Sequence, residues 1–274
     1  MKQWCSIAAI AAPIVVGTAL AQWQRSSRFD TSQYRNGVPT WEVDEEFPTD
    51  LFTFTRIEYD SWRGRGRWGG GWATDFPDSD LNLSYRLQEL TSLKVHPNGK
   101  IIRLTDDELL DSPFIYMLEC GALRFSEDEV LALRRYLLRG GFLMVDDFWG
   151  GAEWENFYQE IKRVFPDREP EELSLDHEIF RCVYKVKEKP QVPSIHHFLQ
   201  GYTYEPRPDA DGGREPHYRA LFDDKRRMMA IICHNTDLGD GWEREGVDEG
   251  YFHEYSEKRA YPMGINIVFY AMTH

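Results

Sequence analysis

The stretch FIYMLECGALRFSEDEVLALRRYLLRGGFLMVDDFWG, residues 114–150, decides the predicted fold. It begins with a nearly continuous apolar run, Phe114 to Cys120, which is typical of a strand buried on both faces. Ser126 and Glu129 then form a capping-box pattern that begins a helix. A second buried strand follows at Phe142 to Val145. Short connections between a strand, a helix and a strand predict parallel pairing with a right-handed crossover.

Patterns on either side of this stretch extend the α/β arrangement. Runs of aromatic and β-branched residues predict strands, and leucines at helical spacing predict helices. The composition, 42% hydrophobic and 28% charged residues, is that of a globular protein. In chain order, the further predictions are a strand at 52–59, a long Gly-rich loop at 60–79, a helix at 80–91, a hairpin at 93–104, helices at 126–139 and 153–165, a strand at 177–186, a Pro-rich loop at 190–213, strands at 219–222 and 228–233, an acidic loop at 235–248 and a closing helix at 260–272.

The first 21 residues, MKQWCSIAAIAAPIVVGTALA, have the pattern of a secretory signal peptide. Lys2 precedes a short apolar run, and small residues precede a cleavage point after Ala21. An uncleaved N-terminal anchor is the alternative. We predict a polar arm at 22–50 and a single domain at 51–274. No later segment is long and apolar enough to span a membrane, so the sequence predicts an exported protein, periplasmic or extracellular.

The net charge and the absence of three catalytic motifs disfavour several classes of protein, and the number of cysteines limits the possible disulfides. The formal net charge is −14, which disfavours binding to nucleic-acid backbones. The patterns HExxH, GxSxG and GxxxxGK[ST] are absent, which disfavours zincins, common serine hydrolases and P-loop enzymes. Signal cleavage would leave Cys120, Cys182 and Cys233, an odd number, so at least one thiol is free or pairs between chains.

Three acidic, Trp-bearing segments follow predicted strands, at 72–82, 146–150 and 234–243. Ligands of open α/β sheets bind at the carboxyl ends of strands, and parallel strands would gather these three segments at one rim. The sequence therefore predicts a ligand-binding rim there. Its candidate ligand-binding residues are Trp72, Asp75, Trp149, His234, Asn235, Asp237 and Trp242.

Two groups of carboxylates are candidates for chemistry. Asp75, Asp78 and Asp80 offer closely spaced hard oxygens that suit a divalent cation, Ca²⁺ or Mg²⁺. Capping of the following helix is the alternative role for Asp78 or Asp80. Asp146 and Asp147 end a buried strand, and neighbouring carboxylates can act as a general acid and base. Structural hydrogen bonding is the alternative for this pair.

The tryptophans of the predicted rim loops have two interpretations; they are Trp62, Trp68, Trp72, Trp149 and Trp242. Flat indole faces stack on sugars or bases, or pack against proteins, which would make the rim a platform for a carbohydrate or peptide. Alternatively, Trp149 and Trp242 cap the core and only the Gly-rich loop is exposed. The basic run Arg63, Arg65 and Arg67 would hold an anion or pair with the acidic rim.

Several of these motifs together resemble a bacterial family catalogued as domain of unknown function 4159. The resemblance rests on FTFTRIEYD, GWATDFPDSDLNLSYRLQELTS, the stretch at 114–150, CHNTDLGDGWE and YPMGINIVFYAMTH. It implies a fold similar to class I glutamine amidotransferases and trehalose-utilisation-like proteins, a flavodoxin-like three-layer α/β/α sandwich with a mostly parallel sheet. The hairpin and the long loops are insertions in that fold.

Amidotransferases carry a Cys on a strand–turn–helix elbow of the G-x-C-x-G kind. The equivalent segment here, Val145–Trp149, has no Cys. Cys120 ends a neighbouring predicted strand, but Gly121 to Phe125 separate it from the next helix. The resemblance therefore implies a location, the rim with Asp75, Asp146, Asp147 and Asn235, without amidotransferase chemistry.

Two functional hypotheses remain. One is an exported binding domain that lacks the nucleophilic Cys and holds a carbohydrate, peptide or other cell-envelope ligand. The other is a hydrolase acting on a carbohydrate or another cell-envelope substrate, with Asp146 or Asp147 as general acid or base and a divalent cation at Asp75. Binding is favoured, because no set of nucleophile, base and orienting group can be named.

Overall fold

A computed structural model describes residues 35–43, 51–62 and 71–274. The predicted signal peptide at 1–21 and most of the arm at 22–50 lie outside the described residues. So does the loop at 63–70, which carries Trp68, Arg63, Arg65 and Arg67.

Seven strands form one mixed sheet in the order β2-β1-β3-β4-β7-β6-β5. The first five strands in this order are parallel to one another, whereas β6 is antiparallel to both β7 and β5. The predicted α/β class with a mostly parallel sheet is confirmed. The strands are β1 (Thr55–Ile57), β2 (Lys100–Ile102), β3 (Phe114–Leu118), β4 (Phe142–Asp146), β5 (Glu171–Glu172), β6 (His217–Phe222) and β7 (Met228–His234).

Helices occupy most of the connections. The predicted capping box is present at the start of the second helix: the Ser126 hydroxyl accepts from Glu129 N, and the Glu129 carboxylate accepts from Ser126 N. A π-helical segment, Phe252–Ala260, joins the last two α-helices. The α-helices are α1 (Asp78–Leu90), α2 (Glu127–Leu138), α3 (Gly150–Val164), α4 (Ile195–Leu199), α5 (Leu238–Glu243), α6 (Glu249–Tyr251) and α7 (Tyr261–Thr273).

Side chains of the central strands alternate between two apolar cores, one on each face of the sheet. In β3, Phe114, Tyr116 and Leu118 pack on the face that carries α1, α5 and α7. Ile115 and Met117 pack on the opposite face, against α2 and α3. Because both faces are covered by helices, the central strands are apolar at nearly every position.

The predicted hairpin at 93–104 is wrong. Val95 and Lys100–Ile102 both pair in parallel with the segment that contains Phe52 and β1. The chain therefore continues along the same neighbour in one direction and does not fold back on itself. β2 is consequently the edge strand of the parallel part of the sheet.

The strand predicted at 177–186 is also absent. Its first part is a short 3-10 helix, Glu178–Phe180. The Asn266 side chain accepts from Val183 N and Tyr184 N and donates to Tyr184 O. A side chain of α7 therefore satisfies the backbone groups that a neighbouring strand would otherwise bond. The loops predicted at 190–213 and 235–248 contain α4 and α5.

A buried ion pair lies beneath the segment that links β1 to α1. Arg56 and Asp80 are both fully buried, and the guanidinium group donates to the Asp80 carboxylate. The same guanidinium donates to Trp72 O and Thr74 O, each at 2.9 Å, and to Ser79 Oγ. Arg56 thus fixes the chain on both sides of Asp75.

Two further findings concern the described chain as a whole. No helix in its described part is both long and apolar enough to cross a membrane. Cys120, Cys182 and Cys233 are all free thiols, so no disulfide links these three residues.

Replacement of Arg56 by Met is expected to destabilise the fold by about 3–5 kcal/mol, because it leaves Asp80 buried without its counter-charge. Urea unfolding monitored by circular dichroism measures this change. Arg226→Met is the matched control, since the Arg226–Glu171 pair is exposed and exposed pairs contribute little to stability. Equal effects of the two substitutions would show that the Arg56–Asp80 pair does not support the fold.

Candidate functional site

A cavity of about 390 Å³ opens at the carboxyl edge of the parallel strands. The segments that follow β1, β3, β4 and β7 all contribute to its wall. Its lining is strongly acidic, with seven carboxyl side chains against two guanidinium groups among the described residues. The carboxyl groups are those of Asp75, Glu119, Asp147, Glu153, Glu205, Asp237 and Asp240, the guanidinium groups those of Arg207 and Arg244, and Thr74, Trp149, Ser194 and His196 complete the wall.

Left-handed backbone conformations recur where strands end at this edge. Glu119, Asp147 and Asn235 directly follow β3, β4 and β7, with φ of 50°, 53° and 61°. Asp75, in the segment between β1 and α1, has φ 61°. This conformation costs most L-residues about 1–2 kcal/mol, and Asp and Asn adopt it more readily than others. Residues in this region are often found at functional sites.

Asp147 occupies a sharp strand–turn–helix junction between β4 and α3. Its side chain is only 7% exposed and lines the cavity. Trp149 Nε1 donates to Asp147 Oδ1 at 3.0 Å, which fixes the orientation of the carboxyl group. The junction therefore places the Asp147 carboxyl group in the cavity wall.

Asp75, Asp147 and Asp237 form a compact cluster. One carboxylate oxygen from each lies within 4.8 Å of the others, and all three residues are buried. Burial raises the pKa of each carboxyl group above its usual range. The nearest carboxylates raise the pKa further: Asp240 and Glu243 act on Asp75, Glu119 and Glu205 act on Asp147, and Asp147 and Asp75 act on Asp237.

The two guanidinium groups of the lining pair with carboxylates outside the cluster of Asp75, Asp147 and Asp237. Arg244 Nε lies 3.2 Å from Asp240 Oδ1, and Arg207 pairs with Glu205 at 3.2 Å. Asp240 is further held by Ile195 N and the Tyr251 hydroxyl, both of which donate to its Oδ2.

One carboxylate atom of the cluster has no hydrogen-bond partner. Asp75 Oδ2 is buried from solvent and accepts no hydrogen bond from the described chain. Buried polar atoms without a protein partner are rare in native proteins, and a bound ion or water molecule commonly accounts for them.

Asp146, predicted as a catalytic residue, does not line the cavity. It is fully buried, and its Oδ2 accepts from Tyr116 Oη at 3.2 Å and from Gly239 N at 3.0 Å. Burial raises the pKa of Asp146 to about 7, although these hydrogen bonds act in the opposite direction. Its contacts connect β4 to the start of α5, which is a positioning role.

His234 and Asn235, predicted as ligand-binding residues, also connect structural elements. His234 Nε2 donates to Gly150 O at 3.0 Å, and its Nδ1 accepts from Arg219. Asn235 Oδ1 accepts from Gly150 N at 2.7 Å. Both side chains hold the end of β7 against the start of α3, and neither lines the cavity.

Three of the tryptophans predicted for the platform are buried or partly buried, whereas Trp62 is 60% exposed and Trp68 lies outside the described residues. Trp242 is fully buried, with its ring centroid 5.9 Å from that of Tyr116. Trp149 lines the cavity but is only 1% exposed. Trp72 is partly buried against the core that faces α2 and α3. Their bulk and apolar faces draw these indoles into the core, which leaves little surface for stacking.

The three residues predicted to bind a cation do not lie together in the structure. Asp80 is bound to Arg56, and Asp78 accepts from Asn36 Nδ2 at 2.8 Å. Of the three predicted metal ligands, only Asp75 lines the cavity. Residues that are close in sequence at the start of α1 point in different directions. Short spacing in the sequence therefore did not identify the carboxylates that lie close together in space.

Asp75 also belongs to a second group of possible ligands, with Asp240 and Glu243, in which Asp240 already pairs with Arg244. A third group with suitable donor atoms is composed of Asp211, His217 and His234. Both ring nitrogens of His234 are used in protein hydrogen bonds, and His217 Nδ1 lies 3.1 Å from the Glu172 carboxylate. These hydrogen bonds would have to break before a metal could bind there.

Sequence reasoning missed several residues of the cavity wall. Glu119 directly follows β3, and Asp240 lies in α5 within the acidic segment after β7, so the strand-end signal that identified the named residues applies to both. Glu205 and Arg207 come from the predicted Pro-rich loop, where no periodic pattern indicates position.

Comparison with protein families matches residues 53–272 to the family described as Domain of unknown function (DUF4159). This match confirms the resemblance seen in the sequence motifs. No curated protein matches the chain.

Asp147→Asn is expected to raise the Tm of the chelator-treated protein at pH 8 by about 2–4 °C, the shift that about 1 kcal/mol produces in a domain of this size. Asn keeps the Oδ1 acceptor for Trp149, tolerates the left-handed backbone and removes one of several like charges. Differential scanning calorimetry measures the shift. A lower Tm would indicate that the ionised carboxylate stabilises the fold by itself.

His234→Gln is expected to change the pH dependence of stability. Burial lowers the pKa of His234 to about 4 from its usual 6.5. Between these values the unfolded chain takes up a proton that the folded protein does not, so wild type loses stability as the pH falls. Relative to the variant, the free energy of unfolding of wild type should fall by about 3 kcal/mol between pH 7 and pH 4. If the difference in unfolding free energy between wild type and His234→Gln, measured with urea, stays constant from pH 7 to pH 4, the lowered pKa of His234 is contradicted.

Proposed function

The chain belongs to the DUF4159 family, and we propose that it is a ligand-binding domain whose strand-edge cavity takes a positively charged group. The observation that carries the proposal is the excess of carboxylates over guanidinium groups in the described lining, seven against two. Like charges this close raise one another's pKa values, and a bound cation relieves that repulsion directly.

The proposal includes an amidotransferase-like, flavodoxin-like scaffold. The order β2-β1-β3-β4-β7 supports it, because this is the doubly wound order with a switch point between β1 and β3. The cavity lies beside that switch point, where ligands of such sheets bind.

The cysteines support a scaffold without the amidotransferase nucleophile. The elbow position after β4 is Asp147. Burial raises the pKa values of the Cys120 and Cys233 thiols, so neither is poised as a thiolate. Cys182 is half-buried, its pKa is also raised by burial, and it does not line the cavity.

The apolar N-terminal segment supports export to the periplasm or the cell exterior, where the ligand would belong to the cell envelope or its surroundings. A peptide with an ammonium group and a metal ion both meet the charge requirement of the cavity. A carbohydrate would have to bind through hydroxyl groups, since Trp72, Trp149 and Trp242 offer little exposed ring surface.

The second candidate function is hydrolysis with Asp147 as general acid or base. The observation that favours it is a raised pKa for two neighbouring carboxyl groups of the cavity, Asp147 and Asp237. One of such a pair can remain protonated while the other is ionised. Asp146 has no such role in this proposal, because its carboxyl group is enclosed by Tyr116 and Gly239.

Isothermal titration calorimetry tests the proposal with spermidine, the tripeptide Gly-Lys-Gly, CaCl₂ and MgCl₂ as cationic probes, and with glucose and citrate as neutral and anionic probes. We expect at least one cationic probe to bind wild type and to lose at least tenfold affinity in Asp147→Asn. Asp78→Asn, which alters a carboxylate outside the cavity, should bind as wild type does. Absence of any cationic binding, or equal binding by both variants, would contradict the proposal.

A further inference from the structure

We propose that Asp75, Asp147 and Asp237 together bind a hard divalent cation, Ca²⁺ or Mg²⁺. This inference rests on the proposed function and identifies the positive charge that the cavity accepts. It replaces the cation-binding group predicted from sequence with three residues from three different loops.

The spacing of the oxygens suits a single ion. One oxygen from each carboxyl group lies within 4.8 Å of the other two. Ligands on opposite sides of a calcium ion, each about 2.4 Å from it, would be about 4.8 Å apart, and adjacent ligands would be closer. Three oxygens at these separations therefore fit one coordination sphere.

A buried orphan atom is the second observation that points to a ligand. Asp75 Oδ2 has no hydrogen-bond partner in the described chain, although Asp75 is only 7% exposed. Gly239 comes so near that a Cβ there would lie 2.5 Å from Asp75 Oδ2. Gly239 therefore encloses this atom on one side, and the Asp75 carboxyl group lies within 4.8 Å of oxygens of Asp147 and Asp237 and, in a second group, of Asp240 and Glu243.

Hydrogen bonds orient the other two carboxyl groups without using all their oxygens. Trp149 Nε1 donates to Asp147 Oδ1, and Asp240 N donates to Asp237 Oδ1 at 2.7 Å. Each bond fixes one oxygen and leaves the second available. Partners of this kind commonly hold metal ligands in position.

The chemistry of the donors selects the metal. Three carboxylates provide only oxygen, which favours Ca²⁺, Mg²⁺ or Mn²⁺ over the softer metals that prefer His and Cys. The group formed by Asp211, His217 and His234 is the weaker candidate, because protein hydrogen bonds already occupy His234 on both ring nitrogens. The open side of the carboxylate cluster faces the cavity, from which water or a ligand oxygen completes the coordination.

Calorimetry on chelator-treated full-length protein tests the site directly, with CaCl₂ and MgCl₂ titrated separately. We expect one ion per chain with a Kd below about 1 mM, in the range of extracellular calcium modules. Asp147→Asn and Asp237→Asn should each weaken binding at least tenfold. Asp78→Asn, from the group predicted by sequence, should not change it.

Mn²⁺ paramagnetic resonance gives a second readout that does not depend on heat. Bound Mn²⁺ should lose its free-ion signal in wild type and in Asp78→Asn, but not in Asp147→Asn. Near-UV circular dichroism confirms that each variant is folded. If Asp147→Asn does not fold, Asp237→Asn decides the outcome.

The outcomes separate this inference from the proposed function. If spermidine or Gly-Lys-Gly binds in an Asp147-dependent way while neither Ca²⁺, Mg²⁺ nor Mn²⁺ binds, the cation site is overturned and the proposed function stands. If metal binds equally well to Asp147→Asn and Asp237→Asn, the assignment of ligands is overturned. If no cationic probe binds at all, both proposals fail.

Discussion

Electrostatic repulsion among converging carboxylates is the constraint that shapes this molecule. Parallel strands deliver the segments after them to one edge of the sheet, and here the segments following β1, β4 and β7 deliver Asp75, Asp147 and Asp237 to a shared, largely buried position. Burial and mutual repulsion both disfavour the ionised forms. Protons or a cation would neutralise the arrangement and so stabilise it.

The surrounding structure holds these groups against that repulsion. Arg56 and Asp80 form a buried pair that anchors the chain around Asp75 through Trp72 O and Thr74 O. Asp146 ties β4 to the start of α5 by accepting from Gly239 N. The left-handed backbone at Asp75 and Asp147 adds strain, which the rest of the fold must offset. Much of the buried polar structure near the edge therefore positions the cavity residues.

Sequence patterns correctly predicted the elements whose formation depends on residues nearby in the chain. The capping box of α2 and the apolar runs of β3 and β4 depend on neighbours in sequence, so these elements were predicted close to their observed bounds. The hairpin at 93–104 failed because pairing direction depends on a distant strand. In the site, the strand-end rule pointed to Asp147, but only the fold could show that Asp80 is bound to Arg56. Glu205 reaches the cavity from an irregular segment, which no sequence pattern positions.

The most direct test of a cation-binding carboxylate cluster is a crystal structure of protein soaked with Mn²⁺, with diffraction recorded for anomalous scattering. One strong anomalous peak is expected about 2.2 Å from oxygens of Asp75, Asp147 and Asp237, the distance expected for carboxylate ligands of Mn²⁺ between those of Mg²⁺ and Ca²⁺. A cluster without a peak, in crystals where Mn²⁺ occupies other positions, would contradict the cation site.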